Sequence, residues 1–377
     1  MKILIVMAGF FPGQRYGGPP VSVFNFCSLM SEHECFIITS NHDLGCSLPY
    51  TSVPTGEWMA KEKYNILYLA SKDYNKSFFE KEIENIKPDL IYLQGLFQSC
   101  ILSCLFLAKK YKIKVLLAPR GELCAGAFNK KYKKVPYIAT LKILGLLRNV
   151  HFQSTSEEES DAIRKILGQP SNKIYTLSNV PSYEKDFSRQ IVKKKGEAHL
   201  VFLSRIVRKK NLLFALKILK QVDGIVYFDI YGPKENVEYW NECENLIESL
   251  PSNIHVKYCG ALQHDEVKPV LSRYDALLFP TFSENYGHVI AESLMVGTPV
   301  IISDQTPWND VNVTKAGFAI SLSSEKEFIQ AVSCIIDCDE CSMRNYSQSA
   351  IRYVVEKQNI DDLKSKYELA LKKIVNA

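Results

Sequence analysis

The sequence contains no G-x-G-x-x-G after a strand. That argues against a nicotinamide-dependent dehydrogenase, whose cofactor pyrophosphate needs those glycines for close backbone approach. No window reaches the run of about 18 apolar residues that a transmembrane helix requires. The one C-x-x-C, Cys338 to Cys341, has no second pair and no nearby histidine, so a four-ligand zinc site is not expected. There is no D-x-D at a strand end, no short-period repeat and no low-complexity tract. The 11 cysteines show no framework spacing, which fits a reducing compartment rather than a disulfide scaffold. Net charge is only +5, too little to argue for nucleic acid, and aromatic residues are not interleaved as a stacking surface would need.

What is present is enough for a large core. Hydrophobic residues make up 46% of 377, a length that suits two domains better than one. The opening MKILIVMAGFFPG is short for a signal-peptide apolar region and reads as a first buried strand entering a glycine-rich loop. Continuously apolar strands are expected at 2–8, 35–40, 66–70, 90–94, 115–119 and 150–155, with amphipathic stretches such as 21–31 and 98–111 between them. Such alternation argues for a parallel sheet covered on both faces. Residues 181–198 are polar and charged and read as a linker. The alternation restarts with strands at 199–204, 226–232, 255–260, 276–280 and 299–303, and helices near 211–222, 287–296 and 324–337. One long last helix is expected over about 345–373. The boundaries so implied are 1–185, 186–350 and a C-terminal helix over 351–377, which would pack back on the first domain. The fold class is α/β, two Rossmann-like doubly wound domains facing across a cleft, with ligands at the carboxyl ends of the strands.

Three stretches carry the chemistry. In SENYGHVIAES, residues 283–293, Glu284 and Glu292 are separated by seven residues, between an apolar strand and a helix closed by Gly297 and Pro299. The amides of Asn285, Tyr286, Gly287 and His288 would offer an anion site at the helix mouth. Glu284 would repel a phosphate there, so it suits hydroxyl groups. Glu292, roughly 12 Å further along if the whole span is helical, suits ribose hydroxyls. In LSRIVRKKN, 203–211, Arg205 and Lys210 are five apart in a strand-to-helix loop and would neutralise a diphosphate leaving group. In PGQRYGGPP, 12–20, Gly17 and Gly18 would admit a ligand close to the backbone.

Together these stretches resemble the retaining GT-B glycosyltransferases of glycosyltransferase family 4: a Gly-Gly loop after the first strand, R-x4-K, E-x7-E and a G-x-PVI strand, in that order over nearly the whole chain. The wording FSENYGHVIAESLMVGTPVIISDQTPW is similar to bacterial members that build O-antigens and other surface polysaccharides. The resemblance implies an acceptor-side first domain and a donor-side second domain. Arg205 and Lys210 would hold the donor diphosphate, Glu284 the donor sugar, the amides of Tyr286, Gly287 and His288 phosphate and sugar, and Glu292 the ribose. It implies a metal-independent enzyme with no cofactor, which takes a nucleotide sugar (UDP favoured over GDP) and transfers a hexose or N-acetylhexosamine with retention. The acceptor would be a polyprenyl-diphosphate-linked glycan at the cytoplasmic face of the inner membrane. A GT-B epimerase shares the fold but not this motif set, and a non-catalytic nucleotide-sugar-binding protein would keep the donor site without transfer.

One departure from the family concerns the first domain. Many relatives carry a histidine pair or His-Gly after a strand; here YLQGLF supplies Gln94 and Gly95, and APRGEL supplies Arg120 and Glu122. Glu122 is a candidate base for the acceptor hydroxyl, with an ion pair to Arg120 as the plainer alternative. Residues 123–156 contain no acid but include Lys130, Lys131, Lys133, Lys134, Lys142 and Arg148. A basic, apolar, helical stretch fits anionic lipid headgroups or a diphosphate-linked acceptor.

Overall fold

A computed structural model describes residues 1–124, 131–182 and 192–377. The chain divides into two compact units, Met1–Val180 with Asp361–Ala377, and Pro181–Ile360. Each is built on its own twisted sheet, and the order of strands in that sheet decides where its functional loops lie.

The strands of the first unit are β1 (Lys2–Val6), β2 (Glu34–Ser40), β3 (Trp58–Ala60), β4 (Asn65–Leu69), β5 (Leu90–Gln94), β6 (Lys114–Ala118), β7 (Val150–Ser154) and β8 (Ile174–Thr176), in spatial order β3-β4-β2-β1-β5-β6-β7-β8. All pairings are parallel except β3 with β4. The second unit has β9 (Glu197–Leu203), β10 (Ile225–Tyr231), β11 (Ile254–Gly260), β12 (Ala276–Phe279), β13 (Val300–Ser303) and β14 (Gly317–Ile320), in the order β11-β10-β9-β12-β13-β14, all parallel. The runs of fully buried Val, Ile and Leu in β1, β5, β12 and β13 are what strands covered on both faces require. The short β3, β8 and β14 carry too few apolar residues to announce themselves in the sequence.

Helices α1 (Gly18–Leu29), α2 (Lys76–Ile86), α3 (Ile101–Tyr111), α4 (Lys131–Ile143) and α5 (Glu157–Ala162) serve the first unit; α6 (Leu212–Leu219), α7 (Val237–Glu248), α8 (His264–Leu271), α9 (His288–Met295), α10 (Glu325–Asp337) and α11 (Glu340–Gln358) serve the second. Their starts follow local chemistry. Asn75, Asn236 and Asp339 each accept the amide three residues on, the N-cap device, and prolines follow the start of α1. The long C-terminal helix expected over 345–373 is in fact two. Asn359 adopts the left-handed conformation (φ 38°), ends α11, and passes the chain to α12 (Ile360–Val375), which belongs to the first unit. Asparagine tolerates that conformation better than most residues. Part of the expected linker also proves packed: the Lys193 side chain is buried and donates to the carbonyls of Glu197 and Ile336. Residues 183–191 lie outside the described part.

Leaving aside the edge hairpin of β3 with β4, the strand order reverses once in each sheet. The reversal falls between β1 and β5 in the first unit and between β9 and β12 in the second. Loops leaving the carboxyl ends of strands at such a switch point diverge and leave a crevice.

Candidate active site

In the second unit the two loops at the switch point are 204–211, after β9, and 280–287, after β12. They are stitched together. The amide of Phe282 and the hydroxyl of Thr281 donate to Lys209 O (2.9 and 3.1 Å), and Asn211 Nδ2 donates to Pro280 O (3.0 Å). This brings together two motifs 74 residues apart in sequence: Lys210 Nζ bonds Glu284 Oε1. Both side chains are nearly buried, at 11% and 13% exposure, and Lys210 also lies over the Phe279 ring. Burial pulls the Lys210 ammonium below its usual range, and Glu284 only partly offsets this.

Arg205 takes a different partner, Glu235 (3.1 Å), from the loop after β10. That loop is held against 204–206 by Ser204 N to Tyr231 O (3.0 Å) and Ile206 N to Pro233 O (2.9 Å). The contact forces Gly232, because a Cβ there would sit 1.8 Å from Ser204 O.

Gly287, at φ 79°, is the N-cap of α9, a left-handed position that glycine adopts without cost. The helix therefore begins at His288, within a residue of the start expected from the sequence, and Glu284 lies in the loop before it. The 12 Å axial spacing expected between the two glutamates does not apply: only four residues, roughly 6 Å of rise, separate His288 from Glu292. Glu292 is buried on α9, and burial raises its carboxyl to about 7, with Lys268 acting weakly in the other direction. Tyr286 is locked from behind: its carbonyl accepts from Trp308 Nε1 (2.5 Å), its ring meets Trp308 edge-on, and its hydroxyl accepts from Gln358 Nε2 (3.4 Å). His288 packs 4.8 Å from the Tyr286 ring. The amide of Glu284 donates to Gln305 O. The second unit thus gathers Lys210, Glu284 and Arg205 on adjoining loops and leaves Glu292 inside the helix. Glu235 and Trp308 were not anticipated; an acid in the next strand-to-helix loop was the one available signal for Glu235.

In the first unit, Gly17 is the N-cap of α1 and Gly18 its first residue. The loop before them is tethered by the amides of Gln14 and Arg15 to the Asp43 carboxylate (3.0 and 3.2 Å). Arg120 and Glu122 follow β6, but they do not pair. Arg120 donates to Gln94 Oε1 (2.8 Å), to Tyr92 OH (3.3 Å) and to Asn179 Oδ1. The Glu122 carboxylate instead accepts the amides of Leu96 (2.5 Å) and Phe97 (3.3 Å). Burial raises the Glu122 carboxyl above its usual range, while these amides and Lys134 oppose the shift. Gln94 is buried, and its Nε2 has no hydrogen-bond partner among the described residues. Lys134 donates to Glu122 O (3.3 Å) and lies 4.5 Å over the Phe97 ring, whereas Lys133 lies over Tyr132. Lys130 and the Lys131 side chain fall outside the described residues. Among the described residues no cluster of three or more His, Cys, Asp or Glu is placed to hold a metal ion, and no helix is long and apolar enough to cross a membrane.

Two parallel-sheet α/β domains of this kind define the GT-B architecture of glycosyltransferases. A solved structure of Anabaena Alr3699/HepE, in complex with UDP and glucose, superposes with a TM-score of 0.71 at 12% identity, covering 99% of this chain and all of that one. Residues 184–353 match the family described as "Glycosyl transferases group 1", a stretch that lies within the second unit. An uncharacterized 41.2 kDa protein in the cps region of Klebsiella pneumoniae is 26% identical over 237 residues, 59% of this chain and 62% of that protein. The O-antigen chain mannosyltransferase RfbU of Salmonella typhimurium is 24% identical over 202 residues, 53% and 54% of the two chains. The matched parts therefore span less than two thirds of these curated relatives.

Proposed function

We propose that the protein is a retaining glycosyltransferase that moves a hexose or N-acetylhexosamine from a nucleoside-diphosphate sugar to a lipid-linked glycan in O-antigen or related surface-polysaccharide assembly. The observation that carries this reading is the meeting of Lys210, Glu284 and Arg205 at the switch point of the unit that matches the group 1 family.

Lys210 and Arg205 would turn from their carboxylates to the donor diphosphate and neutralise it as the bond to the anomeric carbon breaks. The amides of Asn285, Tyr286, Gly287 and His288, at the start of α9, would add hydrogen bonds to phosphate and sugar. Glu284, released by Lys210, would accept donor-sugar hydroxyls, and Glu292 the ribose hydroxyls. The acceptor hydroxyl would attack the anomeric carbon on the face the diphosphate leaves, passing its proton to the departing phosphate oxygen or to Glu122. In the first unit, Gln94 Nε2 and Arg120 would orient the acceptor, and Gly17 and Gly18 would admit the ligand close to the backbone. Two cations, Arg205 and Lys210, would take a metal's place at the donor; Lys133 and Lys134 would face an anionic acceptor on the cytoplasmic face of the inner membrane. Lys130 and Lys131 would join them.

The test is a thermal-shift titration with UDP, GDP and NAD. A ligand at 100 times its Kd adds about 2.7 kcal/mol. Stabilisation by UDP, lost in Glu292→Ala and unaffected by a chelator, supports the donor site. UDP-sugars and a mannose donor are then screened for transfer, with NMR of the product's anomeric proton reading retention. Stabilisation by NAD, or by none of the three, overturns the reading.

A further inference from the structure

At the amino-terminal end of β6 and β7, the first unit has a slot of about 240 Å³ lined by Leu105, Ala108, Ile113, Val115, Leu146 and Val150. It lies at the opposite end of β6 from Arg120 and Glu122, so it is separate from the acceptor-side residues. Five residues of strand, at about 3.3 Å each, already put it roughly 15 Å away. Its volume is below the roughly 300–1,000 Å³ of pockets that enclose whole small molecules, and it is lined by those six apolar side chains together with Lys109, Arg148 and Asn149. A few methylenes of a single chain that carries an anionic head match such a mixed lining.

The rim is cationic, and its charge is unanswered. Lys109 and Arg148 line the slot, with Lys142 and Lys173 on the neighbouring turns. Lys109 Nζ donates to Leu144 O (3.0 Å), Lys142 Nζ to Ile166 O (2.9 Å), and Lys173 Nζ to Arg148 O. Their partners are backbone carbonyls; among the described residues none of these four side chains pairs with a carboxylate. Nearby, burial lowers the His151 pKa, and the positive charges of Lys173 and Lys114 lower it further.

Helix α4 leads to the same place. Tyr132, Val135 and Ile143 are 71%, 52% and 84% exposed, and with exposed Ala139 they fall at i, i+3, i+7 and i+11, one face of the helix. Lys133 and Lys142 flank that stripe, while Ile138 and Leu141 on the other face are buried. An exposed apolar stripe bordered by lysines is the pattern of a helix lying in a bilayer interface. It runs into Leu144, which is 40% exposed, at the edge of the slot.

We propose that the C-terminal end of α4 is a docking site for an anionic phospholipid of a bilayer, with part of one acyl chain in the slot and the headgroup phosphate on Lys109 and Arg148. Complementary charge around an apolar slot identifies the occupant: a neutral lipid leaves the cations unanswered, and a free phosphate leaves the slot and stripe bare. The proposal rests on the membrane-surface part of the function above and not on its transfer chemistry.

The test is sedimentation of the full chain with vesicles of phosphatidylglycerol in phosphatidylcholine, against phosphatidylcholine alone. Binding to the anionic vesicles is expected, weakening about twenty-fivefold in Lys109→Gln/Arg148→Gln, roughly fivefold per cation, and also weakening in Ile143→Ser/Leu144→Ser. The UDP thermal shift of both variants should match that of the parent, which separates this result from failure of the donor site. Equal binding of parent and both variants, or equal binding to neutral vesicles, overturns the proposal. A second arm compares short-chain phosphatidylglycerol with glycerol phosphate in thermal shift. Stabilisation by the lipid alone supports the slot; equal stabilisation by glycerol phosphate reduces the site to an anion subsite and overturns it.

Discussion

The two units bury a loop carboxylate in opposite ways. In the second, Glu284 meets a lysine brought from a distant loop, and the charge is held as an ion pair. In the first, Glu122 is held by two backbone amides, while the nearby Arg120 is spent on the neutral groups of Gln94, Asn179 and Tyr92. The difference separates two kinds of readiness. An ion pair must be broken by an arriving ligand, which then inherits both charges for its own phosphate and hydroxyls. A carboxylate clamped by amides keeps its place whatever binds, and a raised pKa suits it to taking a proton near neutrality.

The sharpest break in that comparison is Lys210→Ala. With both partners nearly buried, removing the cation leaves an uncompensated charge, and about 3–5 kcal/mol of stability should be lost. Lys210→Ala/Glu284→Ala should recover much of it. Urea denaturation reads both; a single-variant cost below about 1 kcal/mol would mean that the pair behaves as a surface contact. In the first unit, Glu122→Gln should act on turnover instead. If Glu122 takes the acceptor proton, kcat falls by 10²-fold or more while UDP affinity and Tm stay close to the parent's. Full turnover in Glu122→Gln removes the base role.

Glu292 is a third case, a buried carboxyl with no bonded cation among the described residues, and its effect should appear in pH. Its folded pKa is about 7 against roughly 4.3 for a free glutamate. Below both values the folded and unfolded chains are protonated alike. Between them the unfolded chain gives up its proton and the folded chain keeps it, so stability falls as pH rises, by up to about 1.4 kcal/mol per unit, and levels off above about 7. Glu292→Gln should flatten that fall in thermal melts. If ribose hydroxyls donate to the ionised carboxylate, UDP affinity should weaken by up to tenfold per unit below about pH 7, and a pH-independent affinity would remove Glu292 from the ribose site.

Periodicity and spacing carried much of this into the sequence. The runs KILIV, LIYLQ and VIIS lie in strands because they are apolar on consecutive residues with a polar residue only at one end, and Arg205, Lys210 and Glu284 lie on strand-end loops because glycine, proline and polar residues interrupt the pattern there. Pairing was not legible. Nothing in the spacing says that Lys210 reaches Glu284 or that Arg205 reaches Glu235: the first depends on β12 lying beside β9, with Ala276 against Leu200 76 residues away, and the second on β10 lying on the other side of β9. The clamp on Glu122 was hidden for a related reason: its partners are backbone amides, which every residue has. The break at Asn359 was hidden because the amphipathic pattern continues on both sides of it.

The smallest effect tests the ion-pair side of the comparison at its exposed edge. Arg205 and Glu235 are 34% and 20% exposed, so their pairing should be worth only about 0–1 kcal/mol, and Glu235→Gln should hardly move Tm. Yet in the proposed site Glu235 competes with the donor diphosphate for the same guanidinium. Freeing Arg205 should therefore tighten UDP binding, by up to about fivefold if the whole pair energy is returned to the ligand. Titration calorimetry on the parent and Glu235→Gln decides the matter. Tighter binding means that Glu235 stores the cation for the ligand to take. Weaker binding means that Glu235 aims Arg205 at the phosphate, and the second unit then positions this charge much as the first unit holds Glu122.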